Sequence, residues 1–340
     1  MTAILSQISV LLLFSAMAAY AAAFVAFAID LAKRSSRVEV AENLEAPSAV
    51  ARRTEAAQLA VENGGRSVTT TLTRTSTRVE DDMHKEGKGS ISLRIAFALS
   101  IFGFVLELVA DVLRGIAADR VPWANMYEFS MTGTVVIMAI FLIMNLRYDL
   151  RFLGAFVTGL VVLLLGISTT RYYVNVVPLP PALQSYWLLI HVTVAILATG
   201  FFTLGFALSC VQLIQARREH QIAEKRPAQL RFLATIPSAK TLENLAYRVV
   251  IIAFILWTFT LIAGAIWAEK AWGAYWSWDT KEVWTFIVWV IYAGYIHARA
   301  TRGWRGSRSA WLSIIGYAAV LFNFGIVNVF FHGLHSYSGL

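Results

Sequence analysis

Cysteine is nearly missing from this chain, which holds one, Cys210, in 340 residues. Without a Cys-x-x-Cys pair the protein cannot itself exchange dithiols or wrap a metal in thiolates. Cys210 sits inside an apolar run, where a lone thiol packs as a small hydrophobe. Charge is sparse too, at 15% of residues against 58% hydrophobic ones, which excludes a large soluble core. No Gly-x-x-x-x-Gly-Lys-Ser/Thr occurs, so ATP-driven work would need another chain. His-x-x-x-His and His-Glu-x-x-His are missing as well, which argues against zinc; His332 and His335 are the nearest approach. No window shows the alternating ten-residue pattern of an outer-membrane barrel.

What the chain has is long apolar runs. Eight of them are long enough to cross a bilayer as helices, at roughly 4–29, 94–113, 127–146, 152–168, 186–214, 248–268, 283–300 and 310–332. The expected class is therefore all-α and polytopic, with about eight transmembrane helices. The first run is too long for a signal-peptide core and lacks a basic start, so it reads as a retained helix. Of the 29 lysines and arginines, 24 fall in the connections of one side and five on the other. The +8 net charge thus reports topology before it reports any acidic partner, and the positive-inside rule puts both termini outside the cytoplasm.

Three units follow: an N-terminal transmembrane helix over 1–30, a flexible cytoplasmic linker over 31–92, and a transmembrane domain over 93–340. The linker is rich in Ser, Thr, Arg, Glu and Gly and has a Thr-rich run at 69–77, with one short helix expected near 55–62. His84, among Asp81, Asp82 and Glu86, reads as solvated, as does His220 after Arg217 and Arg218. Further on, Leu242, Leu245, Ala246 and Val249 recur at helical spacing, which predicts a helix on the inner membrane face before the sixth span.

Generic membrane-protein design does not explain the stretch 272–284. It carries four tryptophans (Trp272, Trp276, Trp278, Trp284) and Tyr275, interrupted by Gly273, Ser277, Asp279, Lys281 and Glu282. Anchoring at an interface needs one or two rings per helix end, whereas flat aromatic faces with small residues between them suit a large planar ligand. On the assigned topology this stretch lies at the outer surface. His191 lies there too, about a turn inside the fifth helix, as does His335 just beyond the eighth. His297 falls about 21 Å along the seventh helix toward the cytoplasm, at about 1.5 Å per residue, beside Ala293 and Gly294. Neutral imidazole nitrogen is the usual axial ligand of haem iron, and two outer histidines flanking an aromatic platform favour that chemistry. A plain membrane transporter and an assembly scaffold that docks through its tryptophans are the alternative classes.

The run from Trp272 to Asp279, followed by Lys281 and Glu282, resembles the tryptophan-rich "WWD" motif of proteins that handle haem in cytochrome c maturation. Together with 264–271, His191-Val192 and the closing Gly333-Leu334-His335-Ser336-Tyr337, it is similar to the CcsA branch (also called ResC, or CcsB in some bacteria) of System II. The resemblance covers about 93–340 and implies a haem-handling domain with its WWD loop at 272–284. The implied function is to carry haem b across the membrane and present it for covalent attachment to the Cys-x-x-Cys-His site of apocytochrome c. The chain would then be the haem-handling subunit of a holocytochrome c synthase. The resemblance also implies His191 and His335 as external axial ligands, and Trp272, Trp276, Trp278 and Asp279 as the haem platform. It implies His297 as one ligand of a haem held within the membrane, whose opposite ligand comes from a ResB-type membrane partner, with thiol-reducing proteins involved indirectly. The bacterial plasma membrane is the expected location rather than the thylakoid. Two positions depart from the family pattern: Thr280 stands where proline is frequent, and His332 is an extra histidine beside the expected ligand His335.

Overall fold

The computed structural model describes residues 2–62, 90–176, 183–227, 230–301 and 303–335, and within 37–62 the backbone alone. Among these residues there are helices and connections but no strand. The principal helices are α1 (Thr2–Glu62), α2 (Ile91–Ala118), α3 (Met126–Arg147), α4 (Gly154–Arg171), α5 (Tyr186–Ala223), α6 (Ala239–Trp272), α7 (Thr280–Thr301) and α8 (Ser307–Leu321). A π-helical turn, Phe322–Ile326, continues α8 into a short α9 (Val327–Phe330). Polar side chains start several of them: Ser90, Asn125, Ser185 and Ser238 each accept a backbone N–H of the first turn they precede.

Seven helical segments among the described residues are long and apolar enough to span a bilayer. The eighth expected span, 283–300, is helical within α7 but is not one of the seven. Trp284, Trp289, Tyr292, Tyr295, His297 and Arg299 give it a mixed, half-polar composition. A second difference concerns the linker. Residues 31–62, expected to be flexible with one short helix, are the continuation of α1. Low hydrophobicity rules out a core but not a helix, and Ala, Glu, Arg and Leu, which recur through this stretch, are strong helix formers. The Thr-rich run and His84 lie outside the described residues. His220 pairs with Glu224 at 3.2 Å in the exposed end of α5, as its basic surroundings suggest. The expected inner-face helix is the start of α6 itself, where Leu242, Ala246 and Val249 are buried and Leu245 packs beside them.

α1 lies along α2 and α5 along α6, with α3 and α4 linking the pairs and α7 and α8 packing together against α5 and α6. One apolar core joins α1, α3, α4 and α5 around Leu13, Met138, Leu153 and Leu204; a second, around Phe202, Trp257, Tyr292 and Tyr317, joins α5 to α8. Phe202 stacks on Tyr292 at 3.8 Å, and Tyr317 bonds Thr203 at 2.9 Å.

Where no water reaches, buried polar groups must satisfy one another. Glu107, fully buried, accepts from Tyr20 at 2.7 Å and Thr134 at 2.6 Å. One helical turn on, Asp111 accepts from Thr132 at 3.0 Å, and the Thr132 hydroxyl accepts the indole N–H of Trp123 at 3.1 Å. Next comes Arg114, which bonds fully buried Glu128 at 3.0 Å, while Arg120 bonds the same carboxylate at 2.6 Å. Glu128 also receives the Ala124 N–H at 3.0 Å, and Arg114 reaches the Val174 carbonyl at 2.8 Å, so one carboxylate fixes two connections at the same end of the bundle. Breaking such a buried pair costs about 3–5 kcal/mol, because the remaining charges stay buried. Glu128→Ala is therefore expected to lower the denaturant midpoint in micelles far more than Asp149→Ala. Asp149 pairs with Arg151 where the side chains are 46% and 30% exposed, and such pairs contribute about 1 kcal/mol or less. Equal shifts would contradict the network's role.

Candidate functional site

The N-terminal ends of α3, α5 and α7 and the C-terminal ends of α6 and α8 lie at one end of the bundle, where they surround a cavity. The space between these ends, its open mouth included, amounts to about 1290 Å³. Trp123, Phe129, Trp257, Trp267, Trp276 and Phe324 give it aromatic walls, and both His191 and His335 line it.

His191 is held from behind. Its Nδ1 lies 3.1 Å from the Thr260 carbonyl oxygen, which can only accept, so Nδ1 carries the hydrogen and Nε2 keeps its lone pair. The ring lies nearly parallel to Trp267, with centroids 5.8 Å apart and 10° between planes. Gly264, one helical turn after Thr260, makes room for this: a Cβ there would sit 2.8 Å from His191 Cε1.

His335 is held by a different acceptor. Its Nδ1 donates to Asp279 Oδ2 at 2.9 Å, and in the neutral ring Nε2 is again the nitrogen with the lone pair. The ring meets Trp272 and Trp267 edge-on, at 4.8 and 5.5 Å. Both imidazoles therefore pack on the buried Trp267 ring, at the end of α6 just before the tryptophan-rich loop.

Asp279 joins three segments, since Oδ1 also accepts the Leu334 N–H at 3.0 Å and Oδ2 the Lys281 N–H at 3.2 Å. The His335 bond, helped by these N–H groups against partial burial, holds the carboxyl below its ordinary range. Gly333 is required here, because any Cβ would overlap Asp279 Oδ1. Glu282 grips the loop from the other side: Oε2 accepts the Ser277 N–H at 2.8 Å and the Asp279 N–H at 3.2 Å. The Lys281 ammonium bonds the Asn323 carbonyl and Asn328 Oδ1, each at 2.8 Å, and so ties the start of α7 to the π turn and α9. In a π turn the helical bonds are rearranged, which is one way a helix presents groups at a functional site.

The remaining candidates separate. Trp276 lines the cavity and meets Trp278 edge-on at 5.8 Å, while Trp278 itself is 79% exposed. Trp272 does not line the cavity but backs His335. His332 is exposed and forms no wall of the cavity. His297 lies well along α7 on an exposed face, with open space at Gly294. Among the described residues no three of His, Cys, Asp and Glu gather as a metal-holding group.

Residues 123–335, more than half of the chain, match the family model described as Cytochrome C assembly protein. The chain belongs to the cytochrome c assembly protein family. It is 35% identical to a protein named cytochrome c biogenesis protein CcsA from Guillardia theta, over 72% of this chain and 86% of that one. Proteins of the same name from Prochlorococcus marinus and Gloeobacter violaceus are 34% and 31% identical, over 74% and 76% of this chain and 85% and 88% of theirs. Among solved structures, one titled Cytochrome c Heme Lyase CcmF shares the fold, with a TM-score of 0.57 at 16% identity. That match covers 94% of this chain but 46% of the other, so the chain spans less than half of that protein's length.

The family match begins at Trp123 and ends at His335, two residues that line the cavity. Motif reasoning counted Gly264 and Trp267 into the family likeness of 264–271 without giving them a role beside His191, and gave none to Thr260 or to Asn125, Asn323 and Asn328 in the walls. The single usable signal was Gly264 in an apolar span, since a helical glycine there leaves room for a close neighbour. Gly264→Ala is expected to turn the His191 ring off Trp267 and break its bond to Thr260. A structure of the variant, or loss of a slowly exchanging Nδ1 proton in its NMR spectrum, reports this; an unmoved ring would show that the gap is not needed.

Proposed function

We propose that this protein holds haem at the non-cytoplasmic face of a membrane and presents it to apocytochrome c for thioether formation, with His191 and His335 as the two axial ligands. One observation carries the reading: two imidazoles line one aromatic cavity, and each has its Nδ1 tied to a protein oxygen. That arrangement leaves two Nε2 lone pairs as ligands. Two nitrogens are too few for zinc but match an iron that arrives with its other four ligands in a porphyrin. His335 serves rather than His332, because the latter is exposed and unsupported. Trp276 would lie along the porphyrin, whereas Trp272 and Asp279 position His335 and Trp278 faces outward.

In the attachment step the thiol sulfur bonds to a vinyl carbon and the thiol hydrogen passes to the neighbouring one, so the addition itself consumes no oxidant or reductant. Holding the haem edge at the cavity mouth supplies the proximity on which such an addition depends. The positive-inside count supports placing this end of the bundle outside the cytoplasm; a bacterial plasma membrane is the location that goes with the proposal. His297 belongs to a second, intramembrane haem position. Its exposed face and the open space at Gly294 suit a ResB-type partner that brings the opposite ligand.

His191→Ala and His335→Ala are each expected to abolish haem attachment to a co-expressed apocytochrome c, with added imidazole restoring part of it by filling the vacant coordination position. Normal attachment in both variants would remove the ligand assignment. His297→Ala is expected to leave the outer haem spectrum intact and to lose a second haem population seen only when the ResB-type chain is present. An unchanged haem content in that complex would remove His297 from the path.

A further inference from the structure

Among the described residues, the buried Lys281 ammonium forms no ion pair, and the Asp279 carboxylate favours its charge only from a distance. It lines the cavity, and its bonds go to two neutral oxygens, the Asn323 carbonyl and Asn328 Oδ1, which leaves the third N–H of the ammonium unused. The two nearby carboxylates bond other groups, although Glu282 Oε1 has no partner among the described residues. Asp279 accepts from His335 and two backbone N–H groups, and Glu282 Oε2 accepts from Ser277 and Asp279; neither forms an ion pair with Lys281. A second donor in the same cavity is also free: Asn125 Nδ2 is buried and has no partner among the described residues, although Asn125 Oδ1 caps α3. A charged ammonium in an apolar cavity is costly unless something compensates it, and a ligand of opposite charge does so most directly.

We propose that Lys281 is the anchor for a carboxylate of the cargo, with Asn125 as a neutral second donor, so that the cavity recognises a porphyrin by its acid side chains as well as by its metal. This rests on the two-imidazole reading and adds an orientation to it. With the iron fixed by His191 and His335, the acid edge is drawn toward the start of α7 and the π turn, and the opposite edge, which carries vinyl groups, is left for the mouth. Glu282 Oε1 and Asn323 Oδ1, buried acceptors without partners in the same cavity, repel a carboxylate and so confine it to the ammonium.

The test compares ferric protoporphyrin IX with its dimethyl ester, which has the same iron and ring but no acid charge, on the purified full-length chain in micelles. Wild type is expected to bind the diacid about tenfold or more tightly, the effect of a hydrogen bond to a charged group. Lys281→Met is expected to bind both at the level of the ester, with the two-imidazole absorption spectrum unchanged, and Lys281→Arg to keep most of the preference. Equal binding of both porphyrins by wild type overturns the proposal without needing any variant. A preference that survives in Lys281→Met overturns it too, as does an equal loss of both porphyrins, which would mark Lys281 as a brace for the π turn. The underlying reading fails separately: in that case neither porphyrin gives a spectrum that changes in His191→Ala or His335→Ala.

Discussion

The site depends on one hydrogen bond made twice, from an imidazole Nδ1 to a fixed protein oxygen. A neutral imidazole has one donor and one lone pair, and whichever nitrogen finds an acceptor gives up the role of ligand. Here Thr260 and Asp279 take the hydrogen of His191 and His335 respectively, which leaves each Nε2 with its lone pair. The two acceptors differ in kind. A backbone carbonyl of α6 holds His191 as rigidly as the packing of α5 on α6 allows. A carboxylate holds His335 and raises the electron density of its ring, as an acid partner does for a metal-bound histidine. One imidazole is therefore built into a helix pair, and the other depends on a tertiary contact between the loop before α7 and the segment after α9.

That contact needs a firm base, and the bundle supplies one through its buried polar groups. Glu107, Asp111 and Arg114 follow one another up α2, and each is matched by groups on α1 or α3 or in the connections beyond them. The chain of bonds from Asp111 through Thr132 to the indole of Trp123 ends in the cavity wall. In an apolar medium each such bond has no competing water, so the wall is positioned by groups that have nowhere else to go. The cavity is thereby lined on one side by α3 and its preceding loop and on the other by α5, α6 and α7.

The sequence revealed the two imidazoles, the aromatic loop and Asp279, because those residues sit in a compact motif or at the helix ends that hydropathy marks. It was less informative about α1: composition there argues against a core, yet 31–62 continues the helix, and Ala, Glu, Arg and Leu recur in it. The eighth apolar run, 283–300, is a helix of span length, α7, less apolar than the other seven because it mixes in tryptophan, tyrosine, histidine and arginine. The supports of the site were not legible. Thr260 acts through its carbonyl, which every residue has, and Gly264 acts by lacking a side chain that a distant ring would meet. Asn323 and Asn328 reach the cavity only because a π turn interrupts the end of α8.

The same structure explains the spacing inside the motif. Trp278 has φ of 59°, a left-handed conformation that is uncommon for a large side chain and costs on the order of 1–3 kcal/mol. Glu282 imposes it, because Oε2 accepts the N–H groups of Ser277 and Asp279 on either side and pulls the backbone into a tight curve around Trp278. A left-handed residue at that point reverses which way its neighbours face. Trp276 turns into the cavity, Trp278 is left 79% exposed at the surface, and Asp279 turns back to meet His335. An extended loop would have placed residues 276 and 278 on one face and 279 on the other, so the carboxylate would have missed the ring. The acid at 282 is therefore as much a part of the motif as the tryptophans: it sets the curve that lets one loop wall the cavity, present an indole outward and orient the His335 imidazole.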